Sequence, residues 1–417
     1  MILLFILNQL FFVLFTIYYP FYLTTHFNLK GFNPFIITFL INSPVLLFKS
    51  LIGPLFLVQD GLFNPYFNYA ILMTNISSII GFIMTVLTLR TYNNHYYFYK
   101  IVQIYTPKWR IKRNKMMLTS LIFLILFFIS FLLLSRNYGL INWILNPRGG
   151  YQFGRTGSGV FFALSLLFLS TSYSIALLFC RKNKQVFPIS ILYLFFVWFL
   201  GSKGFLLDFC CFSFIILWAR GYKNLNKIIW IGLPIIFVPL LINFGSIELE
   251  DIVKYFDYYV NSTNFYEAYF NGELDYYYGE ISISSLWGLV PRALYPDKPF
   301  IYGITIINEY FFPGAAENTM TPAFGGPVAE YADFGIVGVV SASIFNWSRF
   351  FLLYCYFIIF TKFSYRKIIS NPLLLFAFIY IFAPRFLQFF AFPLSLIMFI
   401  FIAKTISITN RVKLHTQ

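Results

Sequence analysis

Three arginines, Arg136, Arg148 and Arg155, lie in the segment 135–158, which contains no acid. A guanidinium is a planar fork of donors that fits phosphate bidentately, so such a cluster points to an anion. Gly149, Gly150, Gly154, Gly157 and Gly159 would let backbone amides approach the same anion. Further cations stand at Lys203 in GSKG, at Arg292 and Lys298 in PRALYPDKP, and at Arg385 in an Ala-Pro-Arg turn. Carboxylates suited to general-base work are Glu330 and Asp333 in AEYADFG and Glu280 in YYYGE. Each also reads as a helix N-terminal charge or a plain loop acid. The acid pairs Glu248/Glu250 and Glu273/Asp275 could hold a divalent cation. A hard cation wants more oxygens than one pair supplies, so they read as solvated charge and no metal site is assigned. Walker, GxGxxG, GxSxG and HExxH patterns are missing.

The elements that carry these residues must face something other than water. Of 417 residues 59% are apolar and 11% charged, with 57 Phe and 31 Tyr and a mean hydropathy of +0.74. A soluble surface needs roughly a quarter to a third charged side chains. Disorder is excluded by the same composition. Cys180, Cys210, Cys211 and Cys355 lie in apolar runs and form neither a disulfide framework nor a zinc spacing. The chain reads as an all-α polytopic membrane protein. Its expected spans are 2–22, 35–58, 67–89, 117–134, 159–179, 187–201, 204–219, 228–244, 334–360, 371–384 and 386–404, so about 11–12 helices. The stretches 187–219 and 371–404 each read as two short spans joined at a tight turn, GSKG and Ala383-Pro384-Arg385. The first charge is Lys30, so no cleavable signal is expected.

Orientation follows from lysine and arginine. Segments 90–116, 180–186, 220–227 and 361–370 are basic, and neighbours among them are separated by two spans, which puts all four on the cytoplasmic face. Segment 245–333 then lies outside. It carries 13 of the 15 acids against Lys254, Arg292 and Lys298. His26, His95 and His415 all fall on or near the inner side, so an outer-face base must be a carboxylate. The organisation is a bundle over 1–244 with the arginine loop 135–158, a large periplasmic loop of short helices over 245–333, and C-terminal spans and tail over 334–417. Six prolines from Pro291 to Pro327 forbid long helices in the second half of that loop. No internal repeat is visible.

Positive charge in a short translocated loop works against topology, so either an anion wants it there or it faces lipid headgroups. Lys203, Arg292, Lys298 and Arg385 are expected at the same face. Lys203 has an alternative partner in Asp208, while Lys49 and Arg349 fall inside spans. Cations, aromatic walls and a carboxylate-bearing lid together suggest a site for a lipid-linked phosphate or pyrophosphate.

At these residues the chain resembles the Wzy-type O-antigen and capsule repeat-unit polymerases, membrane glycosyltransferases with two functional periplasmic loops. Some members carry Arg-x10-Gly in both loops, and here Arg148 to Gly159 and Arg292 to Gly303 have that spacing. PRALYPDKP followed by AEYADFGIVG is similar to the large loop and its return to the membrane. The resemblance covers the whole layout but few motif residues. It implies undecaprenyl-pyrophosphate-linked oligosaccharides as substrates in the bacterial inner membrane, with no cofactor and no nucleic acid. A chain-length regulator and a flippase are the partners it suggests. Pyrophosphate would be gripped by Arg148, Arg155, Arg292, Lys298, Lys203 and Arg385. The base would be Glu330, with Asp333 and Glu280 in reserve. Two alternatives are a lipid-oligosaccharide flippase and an O-antigen ligase; the ligases are associated with a periplasmic histidine.

Overall fold

Peptide groups inside hydrocarbon find no water to bond, so long apolar runs close their hydrogen bonds locally as helices. In a computed structural model the described residues are 2–27, 63–91, 113–155, 158–222, 259–290, 295–316, 322–362, 365–370, 375, 378 and 379. Every regular element among them is helical. Four helices are long and apolar enough to cross a membrane: Pro65–Leu87, Arg113–Leu134, Gly159–Phe179 and Val328–Phe345. The chain is therefore a helical membrane protein, as its composition implied. Expected spans 35–58, 228–244 and 386–404, and almost all of 371–384, lie outside the described residues. The described chain divides into two units.

The first unit holds α1 (Ile2–Val13), α2 (Tyr19–His26) and α3 (Pro65–Thr91), the lid helices α10 (Tyr259–Phe270), α11 (Glu280–Ser284) and α12 (Thr305–Phe311), and most of α13 (Val328–Lys362). A π-helical turn over Leu14–Tyr18 joins α1 to α2 just before Pro20, which has no N–H for the regular ladder. α1 and α3 run parallel. Phe5 meets Phe63, Asn8 bonds Asn68 and Asn75, and Phe15 meets Phe82. Ile2 and Pro65 therefore share one end. α3 starts there because the Asn64 side chain accepts from the Tyr66 and Phe67 amides at 2.9 and 3.0 Å, and Pro65 needs no partner for a missing N–H. The lid packs on this end, with Tyr259, Phe265, Tyr266, Ile281, Ile307 and Tyr331 buried against Phe67, Ile71 and Met73. The opposite end of α3 leads, past Arg90, into the basic segment.

The second unit contains α4 (Arg113–Leu134), α5 (Leu140–Leu145), α6 (Pro147–Phe153), α7 (Gly159–Phe179), α8 (Val186–Trp198), α9 (Lys203–Ala219) and α14 (Tyr365–Ser370). α7 is its axis, buried on nearly every side. α4 instead leaves Leu118, Leu121, Ile122, Ile125, Phe128, Ile129 and Leu132 exposed, a continuous apolar stripe suited to lipid. Small hydroxyl residues let these helices approach. Ser120 Oγ donates to Ser172 O at 2.7 Å and Ser172 Oγ returns a bond to Ser120 O at 2.6 Å, while Tyr193 and Tyr173 extend the links to α8 and α9. The expected hairpin 187–219 is present as α8 and α9, turning at Gly201 with φ +69°.

The basic segments gather at one end of this unit. Arg113 donates to Phe179 O and Tyr365 to Leu178 O. Arg220 donates to Cys180 O at 3.0 Å and Arg181 O at 3.2 Å. Three segments of different sequence thus satisfy the free carbonyls where α7 ends, and cations there also suit the helix dipole.

Candidate functional site

At the far end of the second unit, α5 and α6 fold back over the tops of α4, α7 and α8. Trp143 is fully buried and its Nε1 donates to Phe199 O at 2.7 Å. Asn146 caps α6 by accepting from the Gly149 amide at 2.9 Å. The helical spacing of 148, 151 and 155 then puts Arg148, Tyr151 and Arg155 on one face. The Arg148 guanidinium carbon lies 5.4 Å from the Tyr151 ring centroid and that of Arg155 only 3.8 Å. Arg155 also sits 5.2 Å from the Phe162 ring and donates to the Tyr151 carbonyl. Burial pulls the Arg155 guanidinium below its ordinary value; Tyr151 opposes this and the Arg148 charge adds to it. Two guanidinium groups of like charge thus share one aromatic ring.

The glycines of this loop serve packing. A Cβ on Gly149 would meet Tyr138 Oη at 2.6 Å, and one on Gly150 or Gly154 would meet the Trp143 indole at 2.6 Å. Their amides are already spent on Asn146 Oδ1, Asn146 O and Gly150 O. These three amides are therefore not offered to an anion as expected: Trp143 fills the space over Gly150 and Gly154, and Tyr138 and Asn146 fill that over Gly149. Gly159 has open space and Gly157 is outside the described residues. The GSKG turn abuts α6, with Gly201 tight against Pro147 O, so the backbone of Lys203 starts α9 at the arginine end.

The carboxylates belong to the first unit. Asp333 is 0% exposed, and its Oδ1 accepts from the Gly279 and Ile281 amides at 3.1 and 3.0 Å. Its Oδ2 accepts from the Ser282 amide at 2.9 Å and from Ser282 Oγ. It is the N-terminal cap of α11, supplied from a helix 51 or more residues away in sequence. Both carboxylate oxygens of Asp333 are thus taken up by the start of α11. Glu280 is exposed in the first turn of α11. Glu330 is half-buried one helical turn before Asp333. No hydrogen bond or ion pair of its carboxylate occurs among the described residues. Beside Glu330 in sequence, Tyr331 belongs to a tyrosine cluster. Tyr331 and Tyr69 share a 3.2 Å hydroxyl contact, and the Tyr266 and Tyr331 rings are 5.0 Å apart. Burial first, then neighbouring tyrosines and the Glu330 charge, raise the Tyr266 hydroxyl well above its ordinary value.

Immediately after Asp333, α13 is broken at Phe334 and Gly335, where φ reaches +60° at the glycine. The kink folds Glu330 O onto Gly338, where a Cβ would come within 1.9 Å. Lys298 is buried with its Nζ 4.4 Å from the Tyr302 ring centroid. Arg292 and Arg385 lie outside the described residues. Glu273 accepts from the Tyr310 hydroxyl at 3.1 Å and both it and Asp275 are exposed, the arrangement of solvated loop charges; Glu248 and Glu250 lie outside the described residues. The structure thus joins Arg148 with Arg155 in one unit, and Glu330 with Asp333 and Glu280 in the other. Tyr151 was missed by sequence reasoning, although its spacing from the two arginines was there to be read. The Asp333 cap had no such signal.

No family model matches the chain, and no solved structure matches it. It is similar to two curated proteins, the O-antigen polymerases of Salmonella typhimurium (strain LT2) and Salmonella typhi, each 32% identical over 245 residues. The match covers 55% of this chain and 57% of each relative, so the chain spans a little over half the length of the curated relatives it matches. The resemblance to O-antigen polymerases, read first from motifs, is matched by 32% identity over 55% of the chain.

Proposed function

We propose that the chain polymerises lipid-linked O-antigen repeat units at the outer face of the bacterial inner membrane. The observation that carries this reading, beside the similarity to the Salmonella polymerases, is the pair of guanidinium groups over Tyr151. The growing glycan, held on undecaprenyl pyrophosphate, is the donor. A sugar hydroxyl of the incoming unit attacks its anomeric carbon, and the bond to the pyrophosphate oxygen breaks. Arg148 and Arg155 stabilise the charge that develops on the leaving pyrophosphate. Within the first unit, taken by itself, Glu330 is the carboxylate suited to take a proton from a sugar hydroxyl; it is half-exposed and uncommitted among the described residues, unlike that of Asp333. Of the three histidines His26 alone is among the described residues, and it ends α2 away from the lid.

The lipopolysaccharide ladder of a strain lacking the gene tests the reading. A polymerase mutant leaves one repeat unit on the core, a ligase mutant none, and a flippase mutant accumulates units on the inner leaflet. Complementation with Glu330→Gln keeps side-chain shape but removes the ionisable group, so the single-unit phenotype should persist while membrane abundance is normal. A full ladder from Glu330→Gln would move the base to Glu280.

A further inference from the structure

The turn Tyr277–Glu280 closes with the Glu280 amide donating to Tyr277 O at 2.9 Å. Its central residues, Tyr278 and Gly279, have φ +48° and +92°. Two successive positive values are type I′ geometry, which selects Gly, Asn or Asp. Gly279 fits that rule and Tyr278 breaks it. Tyr278 is the one non-glycine residue with positive φ among the described residues. Burial gives nothing back, because the side chain is 76% exposed. The surroundings force the conformation. Asp333 O accepts from the Tyr278 amide at 3.1 Å, and the Asp333 carboxylate holds Gly279, Ile281 and Ser282. Strain held by a buried carboxylate while an aromatic ring is put into the open marks a residue kept for contact with something else.

We infer that Tyr278 is a sugar-binding residue, its ring the platform on which a pyranose of the lipid-linked glycan stacks. The C–H groups on one face of a pyranose are weakly positive and fit the negative face of an aromatic ring. Sugar hydroxyls need acceptors beside that platform, and Asp275 and Glu280, both exposed, flank it in sequence. The location suits a lipid-borne sugar. The Phe334 ring lies beside Gly279, and Ile283 and Val337, 70% and 73% exposed, are apolar positions of the same unit suited to lipid. The inference rests on the polymerase reading for the identity of the glycan, and on the turn for the contact itself.

The Tyr278 ring is largely exposed, with the Tyr276 ring 6.3 Å away, so its removal should leave the fold standing and separate recognition from stability. Tyr278→Asn removes the ring and supplies a residue the turn prefers. Tyr278→Phe and Tyr278→Trp keep a platform. The probe is the O-polysaccharide released by mild acid from lipopolysaccharide of the same strain, mixed with the full chain in nanodiscs. Saturation-transfer NMR reads binding, and thermal melting reads the fold. Tyr278→Asn should melt at or above the wild-type temperature, bind about two- to tenfold more weakly and shorten the ladder, while the Phe and Trp variants bind as wild type. Wild-type saturation transfer from Tyr278→Asn, or none from the wild-type protein, overturns the inference. So does a shortened ladder with unchanged saturation transfer, the mark of an aromatic membrane anchor. A normal ladder in the deletion strain would sink the polymerase reading alone, leaving saturation transfer to decide Tyr278.

Discussion

Among the described residues, Arg148 and Arg155 are the cations that share one aromatic ring, at 5.4 and 3.8 Å from the Tyr151 centroid. Arg113 and Arg220, by contrast, spend their donors on the carbonyls that end α7. The distinction gives a prediction at single residues. Lysine keeps the charge at 148 or 155 but loses both the planar stack and the bidentate fork. A hydrogen bond to a charged partner is worth about 1.5–3 kcal/mol net, which in a transition state is roughly ten- to a hundredfold in rate. Arg148→Lys and Arg155→Lys should therefore each shorten the glycan ladder sharply, with alanine at least as severe. Arg181→Lys, exposed at the opposite end, is the control. Wild-type ladders from both loop variants would leave the arginines as a basic surface for lipid headgroups.

The lid and the kink of α13 depend on each other, since Asp333 caps α11 from the turn before Gly335. Asp333→Ala orphans three amides, and an unmet buried donor costs about 1–3 kcal/mol. The full chain should lose about 3 kcal/mol or more, seen as earlier thermal unfolding and as new proteolysis within 271–290. Gly338→Ala attacks the same element from within, because its Cβ would lie 1.9 Å from Glu330 O. It should cost about 3 kcal/mol and displace Glu330, lowering both melting temperature and ladder length. Gly81→Ala is the matched test, since a Cβ there meets nothing within 4 Å; it should be neutral or up to about 1 kcal/mol stabilising. Equal behaviour of the two alanine variants would mean that the kink does not hold the lid.

For the whole molecule the open quantity is sidedness. In the first unit the lid and Ile2 lie at the Pro65 end of α3 and Arg90 at the other. In the second unit the basic segments meet at one end and the arginine pair stands at the other. Each unit alone fits the reading that basic segments are cytoplasmic. In a cysteine-free background, cysteines at Asn271 and Ile141, both exposed, should react with an impermeant maleimide in intact spheroplasts. One at Lys184, also exposed, should react only after lysis. Labelling of Lys184→Cys before lysis, with protection of the other two, would put the site on the wrong side of the membrane.

The membrane class and the four described spans were legible in the sequence because they depend on composition and on spacing along one chain. Apolar runs must become helices in hydrocarbon, and the GSKG turn had to break one of them. The α6 face was legible too, since residues three and four apart share a helix side whatever surrounds them. Other features were decided only by tertiary structure. Gly150 and Gly154 looked like ligand-facing glycines until Trp143 filled the space over them. Asp333 and Glu330 had the same local context, AEYADFG, yet one is enclosed by α11 and the other is half-exposed. The strain at Tyr278 belongs in this second group. A Tyr-Gly pair signals a turn, but its handedness and the exposure of the ring come from bonds to a residue far along the chain. Local spacing fixes which residues share a helix face; which of them are covered is settled by contacts between distant segments.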